Sequence, residues 1–370
     1  MKNNLSIKNQ IILLTIDAMN KILILTLLCL GVSNLEGQNN NSRIFDFEFE
    51  GNKINGVLNM PQETPKGIVI IVHGSGKTNA VDQDWYLDVR QGILNAGYAT
   101  YMWDKMGCGK SEGTFDYNQS VQNSSSEVIA AINTLKKRNI PGTKNIGLWG
   151  ISRAGWINPL VINQYNRIKF WISVSGVDDK ENFKYLLKEN LEIDGVSKDS
   201  VNLIVDEYMK GTRITHSGGK YDNYLNATKN LQKNDFWTRF MNGGVSEEHY
   251  YLFQKKFMDK NLDDQTGLQI YIDDFDNILS NVDCPVLALF GEADKNVDWR
   301  KTKKLYQETL GKNTDLTIKS FPNCNHNLFK CKTGGFYEIE DDNLPWDRCE
   351  GFIDSITIWL NMQAKSEKSD

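Results

Sequence analysis

The 370-residue chain carries no excess of positive charge: 42 Lys and Arg stand against 47 Asp and Glu, for a formal net charge of −5. No long run of Lys or Arg builds a local basic field, which argues against a phosphate backbone as partner. The chain also lacks the roughly 18 uncharged apolar residues that a membrane-spanning helix requires. The run Ile22 to Val32 is too short, and Asp17 and Lys21 separate it from apolar residues 11–14. Histidine is scarce, with four in the whole chain, so few residues compete for a general-base role. None of the six cysteines has the paired spacing of a zinc site. Repeats and anchoring segments are absent, which disfavours a structural surface protein.

What is present suits a globular chain. Hydrophobic residues make up 40% and aromatics 11%, enough for a sizeable core in one large domain or a domain with an insertion. Met19, Asn20 and Lys21 precede the apolar run, and small and polar residues follow it to Gly37 and Gln38. Residues 1–37 therefore read as an N-terminal extension and export signal, with translation starting at Met1 or Met19. The mature protein is then periplasmic or secreted, with no stable membrane span after cleavage. A buried N-terminal helix is the competing reading. Lipid attachment at Cys29 is disfavoured, because Cys29 lies inside the apolar run. Cleavage leaves Cys108, Cys284, Cys324, Cys331 and Cys349, an odd number. In an oxidising compartment Cys324 can pair with Cys331 or Cys349; small buried hydrophobes are the alternative reading of all five.

Ile44 to Glu50 alternates apolar and acidic residues, the pattern of a half-buried strand. Gly51 and Asn52 turn it into a second strand near Ile54 to Met60, an antiparallel hairpin. Continuous apolar runs then recur at Gly67 to Val72, Tyr98 to Trp103, Asn145 to Trp149, Phe170 to Val174, Val286 to Phe290 and Leu316 to Phe321. Such runs suit a mostly parallel sheet buried on both faces. Helical stretches at Tyr86 to Asn95, Val128 to Lys137 and Gly351 to Met362 alternate with them, so the fold class is α/β. Between Val177 and Pro285 the alternation stops. Val201, Ile204, Val205, Tyr208 and Met209 fall on one helix face there, and many aromatics follow, from Tyr221 to Phe257. Residues 38–177 and 283–364 thus form a core, 178–282 an inserted, mainly helical cap, and 365–370 a disordered tail. Most of the cap aromatics serve to glue cap to core.

Four features converge on one chemistry. A buried strand from Asn145 runs into Gly150-Ile-Ser152-Arg-Ala154 and then a helix, the strand-to-helix turn that lifts a serine hydroxyl above a sheet. Ala154 stands where glycine is usual. His73-Gly74-Ser75-Gly76 follows the strand ending at Val72, where a glycine turn can aim the Ser75 N–H at the same edge. With the Arg153 N–H it would form an oxyanion hole, worth roughly 3 to 4 kcal/mol per donor; His73 itself holds the turn. Asp294 lies just past the strand starting at Val286, where an acid can orient an imidazole. Asp298, Asp178 and Asp179 are the reserves for that role. His326 follows the last strand, whereas His216 and His249 lie in the cap. The order Ser152, Asp294, His326 is that of a nucleophile, its orienting acid and its base on this class of sheet. Gly76-Lys-Thr78 and Gly109-Lys-Ser111 imitate the tail of a phosphate-binding loop, but the required earlier glycines are replaced by Ile71 and Asp104.

Together these residues resemble the α/β-hydrolase superfamily, within it the bacterial esterases and serine-aminopeptidase-like hydrolases that carry a helical cap. Trp103-Asp-Lys-Met-Gly-Cys-Gly-Lys-Ser-Glu-Gly113 is similar to that family's Asp-x-x-Gly-x-Gly-x-Ser loop, and Asn325 to Phe329 with Thr333-Gly334 to its histidine loop. The resemblance spans about residues 44–362 except the cap. It implies hydrolysis of carboxylic esters through an acyl-enzyme, with Ser152, Asp294 and His326 as triad and no cofactor. The expected partner is a small ester or short peptide. An aminopeptidase is the alternative, with Asp263, Asp264, Asp273 or Asp274 pairing with a substrate ammonium. A hydrolase-fold protein that only binds is a further alternative.

Overall fold

The computed structural model describes residues 42–180 and 182–366. The export signal, Met19 and Cys29 lie outside the described residues, as do residues 367–370 of the charged tail.

The chain opens with four short strands, β1 (Ser42–Ile44), β2 (Phe47–Phe49), β3 (Asn52–Ile54) and β4 (Gly56–Asn59). The alternating Phe47-Glu48-Phe49 buries both aromatics and exposes the acid, and β2 pairs antiparallel with β3. The expected second strand is broken at Asn55. Its Nδ2 donates to Asp104 Oδ2 at 3.0 Å and its N–H to Ser111 Oγ. β4 therefore leaves the hairpin and joins the main sheet antiparallel to a later strand.

From there strands and helices alternate: β5 (Ile68–Val72), α1 (Leu87–Asn95), β6 (Ala99–Trp103), α2 (Val121–Lys137), β7 (Ile146–Ile151), α3 (Ala154–Gln164) and β8 (Ile168–Val174). All six apolar runs are strands. Helix α2 starts seven residues before the expected Val128, because Ser120 caps it by accepting from the Asn123 N–H. Its polar first turn hides that start from an apolar pattern.

After β8 come α4 (Phe183–Ile193), α5 (Lys198–His216), α6 (Tyr221–Ala227), α7 (Asp235–Phe240), α8 (Glu247–Phe257) and α9 (Phe275–Ser280). They gather a core of their own, with Leu187, Leu191, Val201, Ile204, Phe236 and Trp237 buried together. Val201, Ile204 and Met209 of the expected α5 face are buried. Most of the aromatics in this interval are covered, but Tyr251 and Phe253 are exposed. The two ends of the interval meet, Tyr271 N–H donating to Asp179 O at 3.0 Å. The alternation then resumes with β9 (Val286–Gly291), α10 (Trp299–Glu308), α11 (Leu310–Asn313), β10 (Leu316–Phe321), α12 (Glu338–Asp341) and α13 (Phe352–Ser366). Helix α13 runs beyond the expected end at Met362, into the segment read as tail.

The eight-stranded sheet has the order β1-β4-β6-β5-β7-β8-β9-β10, with β5 through β10 parallel. Both faces are covered, as the unbroken apolar runs require. Ile68, Ile70, Val72, Ala288 and Phe290 pack with residues of α2, α3 and α10 on one face. Val69, Ile71, Leu287 and Leu289 pack with α1 and α13 on the other. Parallel pairing gathers the carboxyl ends of β5, β7, β9 and β10 along one edge, where such sheets place their ligands.

Candidate active site

Ser152 follows directly on β7 with φ 56°, a left-handed conformation that costs a residue with a Cβ roughly 1–2 kcal/mol. The turn is fixed from both sides. Ser152 N–H donates to Val174 O at 3.0 Å, and Gly155 N–H to Ser152 O at 2.7 Å. The small residues around it are sterically required. A Cβ on Gly150 would lie 2.6 Å from Ala154 Cβ and 2.4 Å from Asn158 Nδ2, and one on Gly155 would lie 2.8 Å from Val177 N. The methyl of Ala154, where glycine is usual, is thus accommodated by the bare Gly150 one turn back.

Asp294 and His326 are brought together by two interlocked loops. A Cβ on Gly291 at the end of β9 would meet Asn325 O at 2.3 Å, and one on Gly334 would meet Ala293 O at 1.6 Å. Only hydrogen at these positions lets the loops lie flush. Ala293 N–H then donates to Cys324 O at 3.0 Å, and the disulfide Cys324–Cys349 ties the base of the histidine loop to the chain just before α13. Of the two expected pairings the structure makes this one; Cys331 is a free thiol. Asn325 Oδ1 shapes the loop by accepting from the N–H groups of Asn327 and Phe329.

The outcome is a hydrogen bond of 2.7 Å between His326 Nδ1 and Asp294 Oδ2, both side chains being buried. Asp294 Oδ1 accepts from the N–H groups of Asn296 and Val297 at 2.8 and 2.9 Å, so one carboxylate oxygen faces the imidazole and the other is occupied. This pairing fixes the tautomer: Nδ1 carries the proton and Nε2 is left as the basic nitrogen. No hydrogen bond joins Ser152 Oγ to His326 among the described residues. The two residues are linked through the end of β8 and the residue that follows it. Val174 O holds the Ser152 N–H, and the neighbouring Ser175 Oγ donates to His326 O at 2.6 Å. Ser175 is a site residue that the sequence did not reveal.

The reserve acids serve elsewhere. Asp298 caps α10, the buried Asp178 pairs with Lys301, and Asp179 pairs with Lys180. The expected oxyanion donors flank Ser152. Arg153 is its successor, and the turn bearing Ser75 is adjacent, since a Cβ on Gly74 would lie 3.3 Å from Ser152 Cβ. His73 has the structural part read for it. Its Nε2–H donates to Trp103 O at 2.6 Å, and burial, with the charge of Lys105 added, lowers its pKa to about 3. It is therefore neutral, stacked on Tyr86 at 5.7 Å. The phosphate-loop imitations are also absorbed: Thr78 accepts from the Lys105 N–H and Lys110 pairs with Asp82. No cluster of metal-ligating side chains occurs among the described residues.

Residues 63–190 match the family described as serine aminopeptidase, S33, and residues 274–356 the dienelactone hydrolase family. No curated protein matches the chain. Among solved structures it is similar to DcsB in complex with its substrate analogue, at 15% identity and a TM-score of 0.51 over 88% of this chain and 99% of that one. It is also similar to the esterase Pf2001 of Pyrococcus furiosus, at 14% identity and a TM-score of 0.50 over 88% and 90% of the two chains. Est1E from Butyrivibrio proteoclasticus, bound to ferulic acid, aligns at 15% identity and a TM-score of 0.49 over 88% and 100%. A parallel sheet flanked by helices, a strained turn after its central strand and two hydrolase family models on either side of the helical interval make one assignment: the chain is a hydrolase of the α/β-hydrolase superfamily.

Proposed function

We propose that the protein is a serine hydrolase that cleaves carboxylic esters through an acyl-enzyme. The observation that carries this reading is the buried Asp294–His326 pair standing at the same sheet edge as the strained Ser152. His326 Nε2 takes the hydroxyl proton as Ser152 Oγ attacks the ester carbonyl, and Asp294 stabilises the imidazolium. The N–H groups of Ser75 and Arg153 receive the developing oxyanion. His326 then protonates the leaving alcohol, and a water deprotonated by the same nitrogen releases the acid.

Serine-peptidase activity is the second reading, favoured by the family description matched over residues 63–190. Two of its candidate acids are already engaged. Asp263 bonds Thr266 and pairs with Lys180, and Asp273 accepts from Asn261. Asp264 and Asp274 are left for that role, and the ester reading stands first. Export to the periplasm or the medium is part of the proposal, and the Cys324–Cys349 disulfide supports it, since such bonds persist in oxidising compartments.

Labelling with a fluorophosphonate followed by intact-mass measurement tests the nucleophile. One adduct on the wild type and none on Ser152→Ala is expected. Folded wild type that takes no adduct would refute the serine mechanism and favour a protein that only binds.

A further inference from the structure

The turn that carries Ser75 contains two glycines, Gly74 and Gly76, the latter at φ +89°. Such a segment does not hold one shape by itself. An oxyanion donor stabilises a transition state only when its N–H is already oriented. Something must therefore fix this turn, and Lys105 is placed to do so.

Lys105 sits in the turn after β6. Its ammonium donates to Gly74 O at 2.6 Å and to Gly76 O at 2.8 Å. Its own N–H donates to Thr78 Oγ1 at 2.7 Å, and one turn-length away His73 holds Trp103 O. The segment 73–78 is thus laced to 103–105 at four points. Gly74 C=O and Ser75 N–H belong to one planar trans peptide unit and point in opposite directions. A cation that holds the carbonyl on one side sets the N–H on the other, and polarising the carbonyl makes that N–H a stronger donor.

We infer that Lys105 is a positioning residue of the proposed ester hydrolysis, its ammonium clamping Gly74 O and Gly76 O so that the Ser75 N–H is presented to the oxyanion. The inference rests on the serine-hydrolase reading and adds a part to it. Lys105 itself does not touch the substrate. The groups facing it are His73 from the end of β5, Glu127 from α2, Arg153 before α3 and Cys108 from its own turn. Burial and the Arg153 charge lower its pKa to about 8, against the opposing pull of Glu127 and Cys108. The clamp is cationic at neutral pH and loses its charge as pH rises through about 8.

The test compares wild type with Lys105→Met, using p-nitrophenyl acetate for turnover and a fluorophosphonate for the rate of serine phosphonylation, in which Ser152 Oγ displaces fluoride from phosphorus. The variant should lose about tenfold to a hundredfold in kcat, with KM within about twofold. A misdirected oxyanion donor is missed in the transition state more than in the bound ester. Its phosphonylation should slow by a similar factor while the adduct stays on Ser152. A folded variant that turns over and labels like the wild type would overturn the clamp alone, whereas an unlabelled wild type would overturn the serine mechanism and the clamp with it. The wild type provides a second measurement independent of how well the variant folds. Its phosphonylation rate should decline as pH rises past about 8, because the neutral amine is a weaker donor to the two carbonyls than the ammonium, and a rate that climbs from pH 7 to 9.5 would overturn the clamp.

Discussion

Breaking the Cys324–Cys349 disulfide should destabilise the fold by about 3.5 kcal/mol and disturb the histidine loop first. The cysteines are 25 residues apart in sequence, and closing a loop of that length in the unfolded chain removes about 12 cal/mol/K of entropy, or about 3.5 kcal/mol at 25 °C. Both cysteines are buried, at 3% and 4% exposure, so alanine is a better replacement than serine, which would bury a hydroxyl. With an m-value of about 3 kcal/mol/M for a domain of this size, the urea midpoint should fall by about 1 M. The assay is urea unfolding of wild type with and without reductant, beside the Cys324→Ala/Cys349→Ala double variant. Because His326 lies inside the closed loop, turnover should decline at urea concentrations below the global transition. A midpoint that moves by less than about 0.3 M in both the reduced and the double-variant protein would refute the reasoning. It would mean that the remaining ties, Arg348 to Asp88 and to Asn327 O and Cys349 N–H to Leu328 O, already fix the loop.

Asp294→Asn should lower kcat on a short ester by about 10^4-fold, because an amide in place of the carboxylate favours the wrong imidazole tautomer; activity within tenfold of wild type would reject Asp294 as the orienting acid. His73 makes stability fall in acid. Its folded pKa of about 3 lies below its unfolded value, so the unfolded chain binds the extra proton, and its contribution is complete above about pH 6.5 and lost towards pH 3. Each pH unit within that window should cost about 1.4 kcal/mol. His73→Gln should show a correspondingly shallower slope in denaturation measured from pH 7 to 4, and equal slopes would refute the assignment. Gly334→Ala should cost roughly 2 to 5 kcal/mol, combining strain at φ +82° with a Cβ placed 1.6 Å from Ala293 O. Thermal melting within a degree of wild type would show that the two loops are not interlocked as described.

The sheet was legible because burial on both faces imposes continuous apolar runs, and each of the six runs read from the sequence is a strand of the parallel array. The boundaries that shifted did so where side chains overrule local pattern. Asn55 leaves the expected hairpin strand to bond Asp104, 49 residues away, and Ser120 starts α2 within a polar stretch. The disulfide was narrowed to two partners for Cys324 but not chosen. Cys331 is only seven residues on, yet its N–H is held by Asn323 O in the small antiparallel turn that pairs Cys324 with Lys330. Choosing Cys349 requires knowing that the chain returns past Arg348 to the start of α13.

The site divides along the same line. The candidate residues Ser152, Asp294 and His326 and the Ser75 turn could be singled out because each follows a recognisable apolar strand, and the parallel sheet gathers those strand ends along one edge. The residues that hold them could not. Ser175 and Arg348 act on backbone atoms, His326 O and Asn327 O, from 151 and 21 residues away, and a main-chain carbonyl has no sequence signature. Lys105 lies inside the Asp-x-x-Gly-x-Gly-x-Ser string, but at a variable position of it, so the motif gives no reason to notice it. The distinction has a functional edge. Residues that react are constrained in type, whereas residues that orient the backbone are constrained only in reach and donor count. Substitutions at Lys105, Ser175 or Arg348 should accordingly change rates by graded factors, with the steep losses kept for Ser152, Asp294 and His326.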